Sequence, residues 1–172
     1  MVQVEQIKHL VIADDDDDDQ LLLQEVIKNY SDTIKITEIC DGKKLMSFLS
    51  ASQKEPSFSL LLLDLNMPYK NGAECLSEIK KNNKLAQLPI VILSTSRNIK
   101  DIEECYENGA SLFFTKPCSF NSLKVLIHSI LSIQWKKFKQ LSKEQFMQIA
   151  TQGFISLSEE NVQSPFIYLQ KK

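Results

Sequence analysis

Phe58-Ser-Leu-Leu-Leu-Leu-Asp64-Leu-Asn66-Met-Pro68-Tyr-Lys-Asn-Gly72 is the stretch whose reading decides the fold. Five of the six residues 58–63 are apolar, and the run stops on a carboxylate. A short continuous apolar run with polar ends is the pattern of a strand covered on both faces. Asp64 then stands at the carboxyl end of that strand, and Pro68 and Gly72 shape the loop into the next helix. In open α/β sheets, ligands collect just outside the carboxyl ends of the strands. Asp64 is therefore a candidate nucleophile or metal ligand.

Working outward, the same grammar repeats. Ile7-Lys-His-Leu-Val-Ile-Ala13 reads as a buried first strand that also ends on acids, Asp14 to Asp19. Leu23, Val26, Ile27 and Tyr30 follow at helical spacing. Ile34 to Ile39 alternates as a second strand with one wetter face, and Asp41-Gly42 turns into a helix carrying Leu45, Phe48 and Leu49. Beyond the central stretch, Ala73, Leu76 and Ile79 mark a third helix. Pro89 to Leu93 is a fourth strand leading into Ser94-Thr95-Ser96. Ile99, Ile102 and Tyr106 mark a weaker helix ending near Gly109, a natural C-cap residue. Ser111 to Thr115 is a fifth strand closed by Lys116-Pro117, and Leu123, Leu126, Ile127, Ile130 and Leu131 form the most regular stripe. Five strand–helix alternations predict a parallel sheet with helices on both faces.

Trp135 and Phe138 read as a continuation of the last stripe, serving packing. After Trp135 the pattern weakens. Ser142-Lys-Glu-Gln145 has the form of a capping box before Phe146 and Ile149, Gly153 breaks that helix, and Ser158–Val162 and Pro165–Leu169 offer one more turn and an apolar docking segment. Residues 1–135 are expected to form one domain and residues 136–172 an extension packed back on it, too short for a separate output domain.

Composition bounds the function classes. The 172 residues are 43% hydrophobic and 24% charged, as in globular proteins. Residues 1–135 carry a net charge of −5 and residues 136–172 one of +3. An acidic main domain argues against DNA binding. No apolar run reaches the roughly 18 residues of a membrane span, and no signal peptide is evident. Cys40, Cys75, Cys105 and Cys118 show no metal spacing and read as reduced thiols of a cytoplasmic protein. His9 and His128 have no partner histidine and read as structural.

The strands bring polar groups to one edge: Asp14 and Asp15, Asp64, Ser94 and Lys116. Carboxylates gathered this way repel unless a hard cation sits among them, and Mg2+ suits one or two carboxylates with phosphate oxygens and water. Lysine supplies a compact charge for phosphate and serine a neutral hydrogen bond. An aspartate attacking phosphorus then gives an aspartyl phosphate. Asp16 to Asp19 read as a solvated loop and helix start, where acids are favoured.

Taken together, the acids after strand one, Asp-Leu-Asn-Met-Pro-x-x-x-Gly after strand three, Ser-Thr after strand four and Lys-Pro after strand five resemble the receiver domain of two-component response regulators. The likeness covers roughly residues 6–134. It implies a flavodoxin-like doubly wound five-stranded sheet of order 2-1-3-4-5, the order known from the chemotaxis receiver of this same family. It implies that Asp64 takes the phosphoryl group, that Asp14, Asp15, Asp64 and the backbone carbonyl of Asn66 hold Mg2+ (Mn2+ as a substitute), and that Ser94 and Lys116 contact phosphoryl oxygens. Phe113, three before Lys116, falls at the family's aromatic switch position, expected to swing inward as Ser94 is drawn to phosphate, although a plain core phenylalanine is the rival reading. In the family the corresponding Lys-Pro bond is cis; the sequence leaves that isomer open.

The expected function is that of a single-domain response regulator rather than an enzyme, with slow autodephosphorylation. Its donor would be a sensor histidine kinase or histidine phosphotransfer protein. Its downstream protein target would read the face of helix four, strand five and helix five, with a homodimer left open and no DNA or membrane partner. The rivals are a pseudo-receiver that binds partners without phosphorylation, a haloacid-dehalogenase-type phosphatase, and a flavodoxin. The phosphatase wants a second acid where Asn66 stands, and six aspartates after strand one would repel a flavin phosphate.

Overall fold

A computed structural model describes residues 7–52 and 59–153. Phe58, Ser158–Val162 and Pro165–Leu169 of the sequence reading lie outside them. Among the described residues, five strands, β1 (His9–Ala13), β2 (Lys35–Ile39), β3 (Leu60–Leu63), β4 (Ile90–Ser94) and β5 (Leu112–Thr115), pair in the order β2-β1-β3-β4-β5, all parallel. Every residue of β1, β3 and β4 is buried, whereas β2 at the edge keeps only Ile39 so. The all-leucine β3 is thus central because it has no polar face to offer water.

The six α-helices among the described residues are α1 (Asp17–Tyr30), α2 (Gly42–Ala51), α3 (Gly72–Lys81), α4 (Ile99–Glu107), α5 (Phe120–Leu131) and α6 (Lys143–Gln152). Each starts on a side chain that accepts an orphan amide: Asp16, Asp41, Asn71, Asn98, Ser119 and Ser142, with full capping boxes at Asn71–Glu74 and Ser142–Gln145. Such caps contribute about 1 kcal/mol each. That is not enough to hold the nine-residue α4, since isolated helices of this length are marginal in water. Its buried Ile102 and Cys105 supply the rest, while Ile99 is 49% exposed.

Geometry requires glycine at several positions, Gly109 and Gly72 among them. Gly109 adopts φ 86° in the turn between α4 and β5. A Cβ on Gly72 would fall 2.1 Å from the carbonyl oxygen of Asp64, so α3 starts hard against the loop after β3 only because that position is bare.

The expectation that Trp135 and Phe138 continue the last stripe is corrected. Helix α5 ends at Leu131, where the Ser132 hydroxyl donates to the His128 carbonyl at 2.7 Å. Trp135 opens a short 3-10 turn, Trp135–Lys137, and its indole N–H donates 3.2 Å to the Ile130 carbonyl in the last turn of α5, which also accepts the Ile133 amide. The turn sends the chain back over the domain. Helix α6 packs on β5 and α4 through Phe146, Ile149 and Ala150, all buried. All four cysteines are free, and burial pushes the thiols of Cys75 and Cys105 up to about 11 and about 12. No helix among the described residues is long and apolar enough to cross a membrane.

Candidate functional site

The parallel register fixes which residues meet at the carboxyl edge. The Asp64 amide donates 2.8 Å to the Ala13 carbonyl, extending the β1–β3 ladder by one step, so Asp14 and Asp64 emerge side by side. The Lys116 amide does the same to the Ser94 carbonyl at 2.9 Å, setting Lys116 beyond the end of β5. Asp14 and Asp64 are 2% and 5% exposed, deep enough for their charges to need partners.

The partners are few and well defined. The Asp64 Oδ1 accepts the Leu65 amide at 2.7 Å and the Asp14 Oδ1 accepts the Asp16 amide at 3.1 Å. The Lys116 ammonium reaches in from β5 to the Oδ2 atoms of Asp14 at 2.8 Å and Asp64 at 3.4 Å. Burial raises the Asp14 pKa above the ordinary carboxylate range, and the hydrogen bond from Lys116 only partly offsets it. Burial alone would lower the Lys116 pKa, but hydrogen bonds to Asp14 and Asp19 and the charge of Asp64 outweigh it and push the value up.

Asp14, Asp15 and Asp64 each offer a carboxylate oxygen, and these atoms lie within 4.8 Å of one another. An all-oxygen donor set at this spacing, with Asp15 open to solvent, fits a small hard divalent cation that keeps several waters. Of the other sequence-derived residues, Ser94 is fully buried at the end of β4, with its hydroxyl accepting the Ser96 amide at 3.3 Å. Asn66 is exposed two residues past Asp64, its side-chain amide 3.4 Å from the Thr95 hydroxyl. Phe113 is already fully buried within β5, so the inward swing expected of it has no exposed starting position here. The Lys116–Pro117 bond is trans.

One member of the site escapes the sequence reading. Asp19, taken as part of a solvated run, places Oδ2 2.7 Å from the Lys116 ammonium. Asp16 caps α1 by accepting the amides of Asp18 and Asp19, and the helix that follows carries Asp19 four residues beyond Asp15. The phase of that capped first turn, with Asp19 as its third residue, was the available signal. Gln20 then straps the edge by donating to the carbonyls of Asp14 and, at 3.3 Å, Ile39. The resting site thus gathers four carboxylates, three of them on one ammonium, a formal charge of −3.

Known proteins share this fold. Residues 10–128 match the family model of the response regulator receiver domain. The response regulator Rcp1 of Synechocystis sp. is 34% identical over 128 residues, which span 73% of this chain and 87% of that protein. The crystal structure of the Mn(2+)-bound form of Rcp1 superposes with a TM-score of 0.68 at 32% identity, covering 78% of this chain and 99% of that one. That of the phosphorylated cyanobacterial phytochrome response regulator RcpA also gives 0.68, at 31% identity, covering 72% and 91%. With its flavodoxin-like sheet and acid-lined edge, the chain belongs to the response regulator receiver-domain family.

Proposed function

We propose that this receiver accepts a phosphoryl group on Asp64 from the phosphohistidine of a sensor histidine kinase or histidine phosphotransfer protein. The observation that carries the reading is the Lys116 ammonium bridging the buried carboxylates of Asp14 and Asp64, beside the open Asp15. Attack by an Asp64 oxygen forms the P–O bond as the P–N bond to the donor imidazole breaks, and the imidazole keeps the electron pair. Asp14, Asp15, Asp64 and the Asn66 carbonyl would hold Mg2+ (or Mn2+), which supplies the positive charge that lets a phosphate approach an acidic edge. Lys116 holds a phosphoryl oxygen by a charge-assisted hydrogen bond, and Ser94 turns its hydroxyl from Ser96 to another. Water later attacks the same phosphorus and releases Asp64, so the chain resets slowly without acting as an enzyme on a separate substrate.

Phosphorylation adds roughly −1.5 to −2 charges and shifts the balance between two packings of the loop after β4 and of the face built by α4, β5 and α5. A downstream protein reads that face, and its affinity must differ between the packings. Residues 136–172 serve as an extension of the domain, with α6 laid over part of this face, and a cytoplasmic setting suits the reduced thiols. Incubation with labelled acetyl phosphate and Mg2+ tests the reading: wild type takes up acid-stable, base-labile label and Asp64→Asn takes up none. Label retained by Asp64→Asn refutes it.

A further inference from the structure

We infer that Asp19 is a positioning residue for this site: its carboxylate holds the Lys116 ammonium while Asp64 is free, and it competes with a phosphoryl oxygen for that ammonium. The inference rests on the phosphoacceptor reading above. A lysine ammonium has three N–H donors, and here three carboxylates take them, Asp19 at 2.7 Å, Asp14 at 2.8 Å and Asp64 at 3.4 Å. No donor is left for a phosphoryl oxygen unless one acid lets go.

The three acids are not equally held. Asp14 and Asp64 are anchored by the amides of Asp16 and Leu65 and belong to the cluster that fits a cation. Asp19 stands outside that cluster, its side chain is 35% exposed, and its carboxylate has no second partner among the described residues. It is therefore the acid that neither the cation nor the new ester bond draws off the lysine, and it competes there with the phosphoryl oxygen. While it holds on, it favours the unphosphorylated state twice over, by occupying Lys116 and by adding a negative charge where an anion must settle. The distance along the chain, 97 residues between Asp19 and Lys116, makes this a contact between α1 and the end of β5 rather than a local turn.

The test uses the full chain with saturating Mg2+ and beryllofluoride, a non-covalent stand-in for the phosphoryl group, read from the amide spectrum around Ser94 and Lys116. Asp19→Asn keeps the size of the side chain and removes its charge. Its half-saturation point is expected to fall about fivefold, the size of a half-exposed ion pair. Asp18→Asn removes an equal charge from the same helix start without touching Lys116, and is expected to stay within about twofold of wild type. Asp19→Glu, which restores the charge, is expected to return toward the wild-type midpoint. Tighter binding is an outcome that structural damage does not produce. Unchanged or weaker binding by Asp19→Asn, an equal gain in Asp18→Asn, or a Glu variant as tight as the Asn variant overturns the inference while leaving the phosphoacceptor reading intact. A wild-type protein that does not respond to beryllofluoride overturns both.

Discussion

Lys116 and Asp64 face each other across the end of β4, ammonium to carboxylate at 3.4 Å, although 52 residues separate them. The lysine is 12% exposed and the aspartate 5%. At such depth the loss of one partner is costly because the other is left charged and dry, a penalty of about 3–5 kcal/mol. Lys116→Met is therefore expected to destabilise the metal-free protein by about that amount in a urea titration. Mg2+ should recover a larger share of stability in the variant than in wild type, since the cation then neutralises acids that nothing else does. Equal Mg2+ stabilisation in both proteins would show that Lys116 and the cation do not share the same carboxylates.

Asp14 sets the pH dependence of that same edge. Its folded pKa lies above the ordinary 3.8, chiefly through burial. The folded state thus binds more protons than the unfolded chain between the two values, and stability contributed by this group falls as pH rises through that window. Mg2+ must displace the same proton. Metal affinity measured by calorimetry is expected to weaken as pH drops toward the raised Asp14 value, at a pH where an ordinary carboxylate is still ionised. Asp14→Asn should flatten the stability slope of the metal-free protein over this range.

A second, half-buried charge lies at the opposite end of the sheet. Lys80 on α3 donates to the carbonyls of Ala86 and Leu88 at 3.0 and 2.7 Å, beside a cavity of about 1050 Å3 that Tyr106, Trp135 and Phe138 also line. Burial pulls its pKa from 10.5 down to about 8. The unfolded chain then binds the extra proton between those values, so this group lets stability rise as pH climbs from about 8 to 10.5. The gain is at most about 3 kcal/mol. Lys80→Met should abolish that rise in thermal melts across the range, and a parallel rise in the variant would assign it elsewhere.

How legible these features were in the sequence depends on what each residue has to say about itself. Leu60 to Leu63 could be nothing but a buried strand, and the acids, serine and lysine at four strand ends fixed both the sheet and its functional edge. Asp19 was hidden because a run of identical acids shows no pattern; only the helix phase set by the Asp16 cap distinguishes it. Trp135 was misplaced because an apolar residue one turn past a stripe looks like its continuation, while the stop signal was a serine hydroxyl turned back on His128. The Ser142–Gln145 box announced α6, but a two-residue apolar stripe names a face and not what lies opposite it.

What lies opposite is α4 and β5, and the contact is specific enough to test. The Tyr106 hydroxyl donates 3.2 Å to the Leu141 carbonyl, its ring sits 5.3 Å from that of Phe146, and Gln140 donates 2.9 Å to the Ala110 carbonyl. Lys143 reaches Glu103 at 3.1 Å and Glu107 at 3.6 Å, but these are exposed, solvent-screened pairs that contribute little. Phe146, fully buried, dominates, because truncating a core phenylalanine costs about 3–5 kcal/mol. If α6 opens without unfolding the sheet, Phe146→Ala should speed hydrogen exchange of the amides of α6 by orders of magnitude while those of β1 and β3 stay protected. Tyr106→Phe, which removes one hydrogen bond and keeps the ring, should produce the same pattern with a loss of only about 1 kcal/mol. Uniform loss of protection in β1, β3 and α6 would instead mean that α6 and the sheet unfold as one unit, and that the face beneath it is never bared in the folded protein.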